Sequence, residues 1–152
     1  MTIATLAAGC FWGVEAKFRQ LPGVISTRVG YTGGQSDDPN YKAVCTGTTG
    51  HAEAIEITFN PDIITFDHLL DFFWLAHDPT TLNQQGPDFG SQYRSAIFYH
   101  DDEQKVQSEL KKKQLNEKQH FPKPIVTEIT SASHFYPAEE YHQCYIEKQR
   151  GM

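Results

Sequence analysis

An α+β sandwich, one sheet with helices packed against it, is the fold class this sequence predicts. Three observations predict it. Short apolar or alternating runs bounded by Gly, Pro, Asn and Asp recur along the chain. Segments with apolar residues at helical spacing stand between them. The 152 residues are 39% hydrophobic and 21% charged, an ordinary globular balance that suits one domain spanning residues 1–152 with its own core.

Each element has its own signal. Residues 2–8 are uncharged and mostly apolar, as in a buried strand. Phe11, Val14, Phe18 and Leu21 follow at helical spacing and are closed by Pro22-Gly23. A second strand runs from Val24 to Tyr31 and ends at Gly33-Gly34, and a polar loop fills 33–50. Residues 51–59 alternate until Asn60-Pro61, and Phe66, Leu69, Leu70 and Phe73 mark a helix ending before Asp78-Pro79. A Gly/Pro loop covers 78–92, with a strand from Ala96 to Tyr99 beyond it. Residues 101–119 read as a charged helix with Val106 and Leu110 as its narrow apolar stripe. Ile125 to Thr130 reads as a strand, and Pro137 is expected to open a final helix. The two long loops, 33–50 and 78–92, are where a site is expected.

Charge and composition exclude several classes. The formal net charge is −6, and no run of like charge exceeds three residues, Lys111-Lys112-Lys113 included, so a nucleic-acid partner is not expected. No apolar stretch approaches the roughly 20 residues of a membrane span. Leu6-Ala7-Ala8-Gly9-Cys10 has a faint likeness to a lipoprotein cleavage site. It lacks a basic segment before it, and its apolar run is too short for a signal peptide. Three cysteines without a CxxC pair suit a reducing cytoplasm better than a disulfide framework.

Three constellations carry chemistry. The first is Gly9-Cys10-Phe11-Trp12-Gly13 at a strand–helix junction, where free N–H groups and the helix dipole favour a thiolate. The bland alternative is a buried structural cysteine. Adjacent rings on a helix point about 100° apart, so Phe11 and Trp12 cannot both face one core stripe, and one of them is expected to line a cavity. The second is Thr49-Gly50-His51-Ala52-Glu53. Alternation puts Glu53 on the apolar face with Ile55, Ile57 and Phe59, where desolvation keeps a carboxylic acid protonated and fit to be a general acid. The alternative is a structural Glu paired with Arg or Lys. His51 reads as a hydrogen-bonded structural residue. The third is residues 86–95, GPDFGSQYRS, which offer Asp88 and Tyr93, with Tyr41 in the other loop.

The set GCFWG, RVGYTGG at 28–34, TGHAE at 49–53, GPDFGSQYRS at 86–95 and PAEEYHQ at 137–143 resembles the A-type peptide methionine sulfoxide reductases over essentially the whole chain. The resemblance implies a mixed, ferredoxin-like central sheet in a two-layer sandwich. It implies an enzyme that reduces the S epimer of methionine sulfoxide, free or in proteins, through a cysteine sulfenic acid. Cys10 matches the nucleophile, Glu53 the acid, Phe11 and Trp12 the cage around the substrate methyl, and Tyr41, Asp88 and Tyr93 the groups holding the oxygen. No metal and no bound cofactor are implied. The external reductant is thioredoxin, glutaredoxin or a similar thiol, and the expected molecule is a monomer. Cys144, just after Tyr141-His142-Gln143, is the candidate resolving thiol, with direct reduction by an external thiol as the competing idea. Cys45 has no assigned role. Three other readings rank lower. His51-Ala52-Glu53 is half of a zinc deaminase signature without its P-C-x-x-C half. A Cys–His thiol hydrolase and a non-catalytic methionine-binding or redox-sensing module are the others.

Overall fold

The computed structural model describes residues 2–149. The chain runs through β1 (Thr2–Ala8), α1 (Phe11–Phe18), β2 (Val24–Thr32), α2 (Tyr41–Cys45), β3 (Ala52–Phe59) and α3 (Phe66–Ala76). It continues through β4 (Gln84–Gln85), β5 (Asp88–Phe89), β6 (Ser95–Tyr99), α4 (Asp102–Glu117), β7 (Glu128–Ser131), β8 (Tyr136–Pro137) and α5 (Tyr145–Gln149). Six strands form one mixed sheet in the order β7-β6-β1-β3-β2-β8, while β4 and β5 form a separate hairpin. Among the described residues only β6 and β7 run parallel, because α4 carries the chain back between them.

Period-two alternation decides what each face of the sheet buries. Ala4, Leu6, Ala8, Ile55, Ile57, Phe59 and Ile97 pack against Val14 and Phe18 of α1 and Leu69, Leu70, Phe73 and Trp74 of α3. The opposite face carries Ala7, Ala52, Ala54, Ala96 and Phe98, against which Ala132 and Phe135 pack. Those alanines let the chain after β7 run close to the sheet. Asn40, Thr65 and Asp101 cap α2, α3 and α4, each accepting a backbone N–H three residues on, at 2.8, 3.1 and 2.8 Å.

Two expectations are corrected. Val106 and Leu110 are 60% and 52% exposed, and α4 turns Gln104 and Ser108 inward instead. The cause is polar: the Gln104 amide accepts from His100 N–H at 2.9 Å and donates to the Ile3 carbonyl at 2.9 Å, tying α4 to β1. Pro137 does not open a helix. It pairs with Gly30 in β8, an edge strand where a residue without an N–H is tolerated. The Gln143 side chain then continues the edge, accepting from Val29 N–H at 2.9 Å and donating to the Val29 and Ala138 carbonyls at 2.9 and 3.0 Å. The chain tightens into a single 3-10 turn at Glu140–His142, and α5 begins only at Tyr145. Among the described residues no helix is long and apolar enough to cross a membrane.

Candidate active site

Cys10 is the N-cap of α1, where β1 gives way to helix, and its carbonyl accepts the Val14 N–H at 3.4 Å. Gly9 stands before it at φ +99°, and a Cβ there would lie 2.7 Å from Gln85 Cγ. The β4–β5 hairpin therefore lies across Gly9, and Asp88, the cross-strand partner of Gln85, comes with it. The Gln85 amide fixes that placement by bonding the Asp78 backbone twice, at 2.8 Å each.

Glu53 faces Tyr31 across β3 and β2 and is 1% exposed. Its Oε1 accepts the N–H of Phe11, the residue after Cys10, at 3.3 Å. Its Oε2 has no partner among the described residues. Thiol and carboxyl thus share one helix N-terminus. Burial pushes the Glu53 carboxyl up to about 7, the Phe11 N–H opposing and Asp88 adding to the rise. Among the described residues Glu53 meets no Arg or Lys, its one bond being to the Phe11 N–H, so the structural ion-pair alternative for Glu53 fails.

The thiol differs from the sequence expectation. Burial pushes Cys10 up to about 11, and Glu53 and Asp88 add to it. The Trp12 and Gly13 N–H groups pull the other way without prevailing. The helix terminus does favour thiolate, but desolvation outweighs it, so the resting sulfur is a thiol.

Tyr41 opens α2, and Tyr93 ends a 3-10 turn at Ser91–Tyr93. Burial raises both phenols, Tyr93 to about 12, and the Glu53 charge acts on both. The charges of Asp88 and Cys10 also raise Tyr93. Arg94 ties the two loops together, donating to the Ser91 carbonyl at 2.9 Å and to the Gly33 carbonyl at 3.4 Å.

His51 is structural, as its surroundings in sequence suggested. Its Nδ1 accepts from Gly34 N–H at 3.0 Å, so Nε2 carries the proton and donates to the Ser36 carbonyl at 2.6 Å. Both nitrogens are engaged, which leaves no imidazole in His51-Ala52-Glu53 for a zinc ion or a hydrolase base. The two rings after Cys10 diverge as their spacing requires. Phe11 is buried with Val29, Tyr31, Val44 and Ala138, while Trp12 is partly buried at the margin and stacks on Tyr145 at 4.0 Å.

Cys144 lies in a turn before α5 at φ +52°, and its N–H donates to Glu15 Oε1 at 2.7 Å. Cys45 ends α2 and is exposed. Several contributors escaped sequence reasoning. Glu139 accepts from the Tyr31 hydroxyl at 2.9 Å and from Tyr41 N–H at 3.1 Å, and so holds α2 against the sheet. His142 accepts the Trp12 indole N–H at 2.8 Å. Both stand inside PAEEYHQ, a motif whose individual side chains gave no hint of their targets.

A partly buried thiol and a buried carboxyl group thus meet at one helix N-terminus of an α+β fold. Residues 2–152 match the family profile described as peptide methionine sulfoxide reductase. The chain belongs to that family, whose members reduce methionine sulfoxide. It is 59% identical over 145 residues to the peptide methionine sulfoxide reductase MsrA of Methanothermobacter thermautotrophicus, covering 95% of this chain and 86% of that one. Among solved structures it is similar to Mxr1 from Saccharomyces cerevisiae in reduced form, with a TM-score of 0.89 and 40% identity over 99% of this chain and 87% of that one. Mxr1 in complex with Trx2 matches with a TM-score of 0.63 and 28% identity over 95% and 84%.

Proposed function

We propose that this chain, as one catalytic domain, reduces the S epimer of methionine sulfoxide with Cys10 as nucleophile and Glu53 as proton donor. The carrying observation is the 3.3 Å bond from Phe11 N–H to Glu53 Oε1, which holds the acid one residue from the thiol. A sulfoxide oxygen leaves poorly until protonated, and Glu53 holds a proton up to about pH 7. Protonating that oxygen puts positive charge on the substrate sulfur, and a cation beside Cys10 lowers its pKa. The thiol proton passes to the Glu53 carboxylate as Cys10 sulfur attacks the substrate sulfur. The hydroxyl then passes from the substrate sulfur to Cys10: the substrate S–O bond and the new S–S bond break, an S–O bond to Cys10 forms, and methionine departs, leaving Cys10 as sulfenic acid. Cys10 is oxidised by two electrons and the sulfoxide reduced by two. Phe11 and Trp12 wall in the methyl group, since sulfur and methyl groups pack well on rings. Tyr41, Tyr93 and Asp88 hold the oxygen.

The sulfenic acid condenses with a thiol, releasing water. Cys144 is the internal candidate. Thioredoxin or glutaredoxin is the external reductant, a reading that the complex of Mxr1 with Trx2 supports. Three free cysteines suit a cytoplasmic enzyme.

Separated S and R epimers of a sulfoxide, assayed with a dithiol, test the reading. Only the S epimer is expected to turn over. Cys10→Ser should release no methionine, and Glu53→Gln should slow the single-turnover step by about 10²–10⁴. Methionine release by Cys10→Ser, or full speed in Glu53→Gln at neutral pH, would overturn the roles.

A further inference from the structure

We infer that His142 is a positioning residue for Trp12, fixing through the indole N–H the aromatic wall on which the substrate methyl group binds. The inference rests on the assignment of Phe11 and Trp12 as that wall. Trp12 Nε1–H donates to His142 Nδ1 at 2.8 Å. His142 is fully buried, with ring centroids of Tyr141, Tyr41 and Phe11 at 4.0, 4.5 and 5.3 Å, so its ring has no freedom to turn away. Nδ1 accepts, so the single proton of the neutral imidazole sits on Nε2, which has no partner among the described residues. The fold therefore presents Nδ1 to Trp12 and leaves Nε2 without a partner among the described residues. Burial keeps His142 below the usual imidazole range, with Glu139 opposing, and a neutral ring is the form that can accept.

The stacking restraints on Trp12, from Tyr145 and from Tyr41 at 6.3 Å, are weaker. Tyr145 stacks on the indole at 4.0 Å with an interplanar angle of 17°, but a stack permits sliding and in-plane rotation. Tyr145 also belongs to α5, a five-residue helix joined to α1 by an Arg19–Glu147 pair at 2.8 Å and, just before it, by the Cys144 N–H bond to Glu15 at 2.7 Å. A directional bond from a buried ring fixes what the stack cannot.

Steady-state kinetics on an S sulfoxide with a dithiol test this in wild type, His142→Phe and His142→Asn. Phe fills the ring volume without an acceptor, and Asn returns an oxygen close to the place of Nδ1. We expect KM to rise about tenfold in His142→Phe, the size of one neutral hydrogen bond, with kcat changed less than about threefold. His142→Asn should recover to within about threefold of wild-type KM. An unchanged KM in His142→Phe, a loss in kcat alone, or an Asn variant as impaired as Phe would overturn the inference. Wild-type turnover itself tests the reductase reading, so the two failures are distinguishable. Should His142→Phe not fold, indole N–H exchange in the wild type decides. The Trp12 signal, assigned against Trp74→Phe, should be protected and stay so in His142→Asn, and rapid exchange of Trp12 in the wild type would overturn the inference.

Discussion

Glu53 carries an uncharged acid into a buried site, and the same burial makes its ionisation a stability matter. Its folded value, about 7, lies above the 4.5 of an ordinary Glu, so the native state binds the extra proton between those values. Stability from this group is complete below about pH 4.5 and is lost as pH rises through about 7, by on the order of 3 kcal/mol. Urea unfolding at pH 5 and pH 8 should show wild type losing ground to Glu53→Gln by roughly that amount. Equal differences at the two pH values would contradict a buried, ionising Glu53. The rate of the reductive step should fall above about pH 7 for the same reason, since the acid form is then scarce. At this scale the sequence was legible where period and chemistry agree: alternation alone put Glu53 on the apolar face. The state of Cys10 was not legible. A helix N-terminus is visible in GCFWG, but the depth of burial that outweighs it depends on the hairpin lying over Gly9, and that is a tertiary fact.

Among the elements, the β4–β5 hairpin has the most consequence for the site, because Gln85 seats it on Gly9 and Asp88 is carried in by pairing. Gly9→Ala would place a methyl 2.7 Å from Gln85 Cγ at a backbone φ of +99°. We expect a loss of about 1–3 kcal/mol in chemical denaturation together with lowered kcat, as Asp88 is pushed from the centre. Gly13 offers the contrast: it is helical, and nothing lies within 4 Å of a Cβ built there. Gly13→Ala should gain about 0.5–1 kcal/mol by the same measurement. Equal effects of the two substitutions would refute the seating of the hairpin. Element by element, long strands and capped helices were readable from period and punctuation. The failures have a common cause. Val106 and Leu110 looked like a packing stripe because apolar residues at helical spacing usually are one, but Gln104 bonds to β1 and turns α4 the other way. Pro137 looked like a helix start because nothing local reveals that β2 needs an edge partner.

Across the whole molecule, the C-terminal segment lies along α1, where one regular set of contacts joins the two ends of the chain. Trp12 meets Tyr145, Glu15 accepts from Cys144 N–H at 2.7 Å, and Arg19 meets Glu147 at 2.8 Å. No local signal could have announced this, since the partners are 128 (147 − 19) to 133 (145 − 12) residues apart. The arrangement bears on how the sulfenic acid is resolved. Glu15 lies five residues beyond Cys10, about 7–8 Å along the helix axis at 1.5 Å per residue, so the anchor that holds Cys144 is set back along α1 from the thiol, whereas the Cα atoms of a disulfide lie within about 7 Å. Bonding Cys144 to Cys10 therefore requires the Cys144 N–H to leave Glu15 and α5 to undock, taking Tyr145 off the indole. One equivalent of sulfoxide without reductant should then consume two thiols, change the Trp12 fluorescence in a Trp74→Phe background, and expose α5 to amide exchange. Cys144→Ser should still release one methionine per chain but lose thioredoxin-driven turnover by tenfold or more, roughly the difference between an internal and an external thiol. Loss of a single thiol, with Cys10 left as sulfenic acid and the Trp12 emission unmoved, would assign resolution to the external thiol and leave α5 a fixed part of the fold.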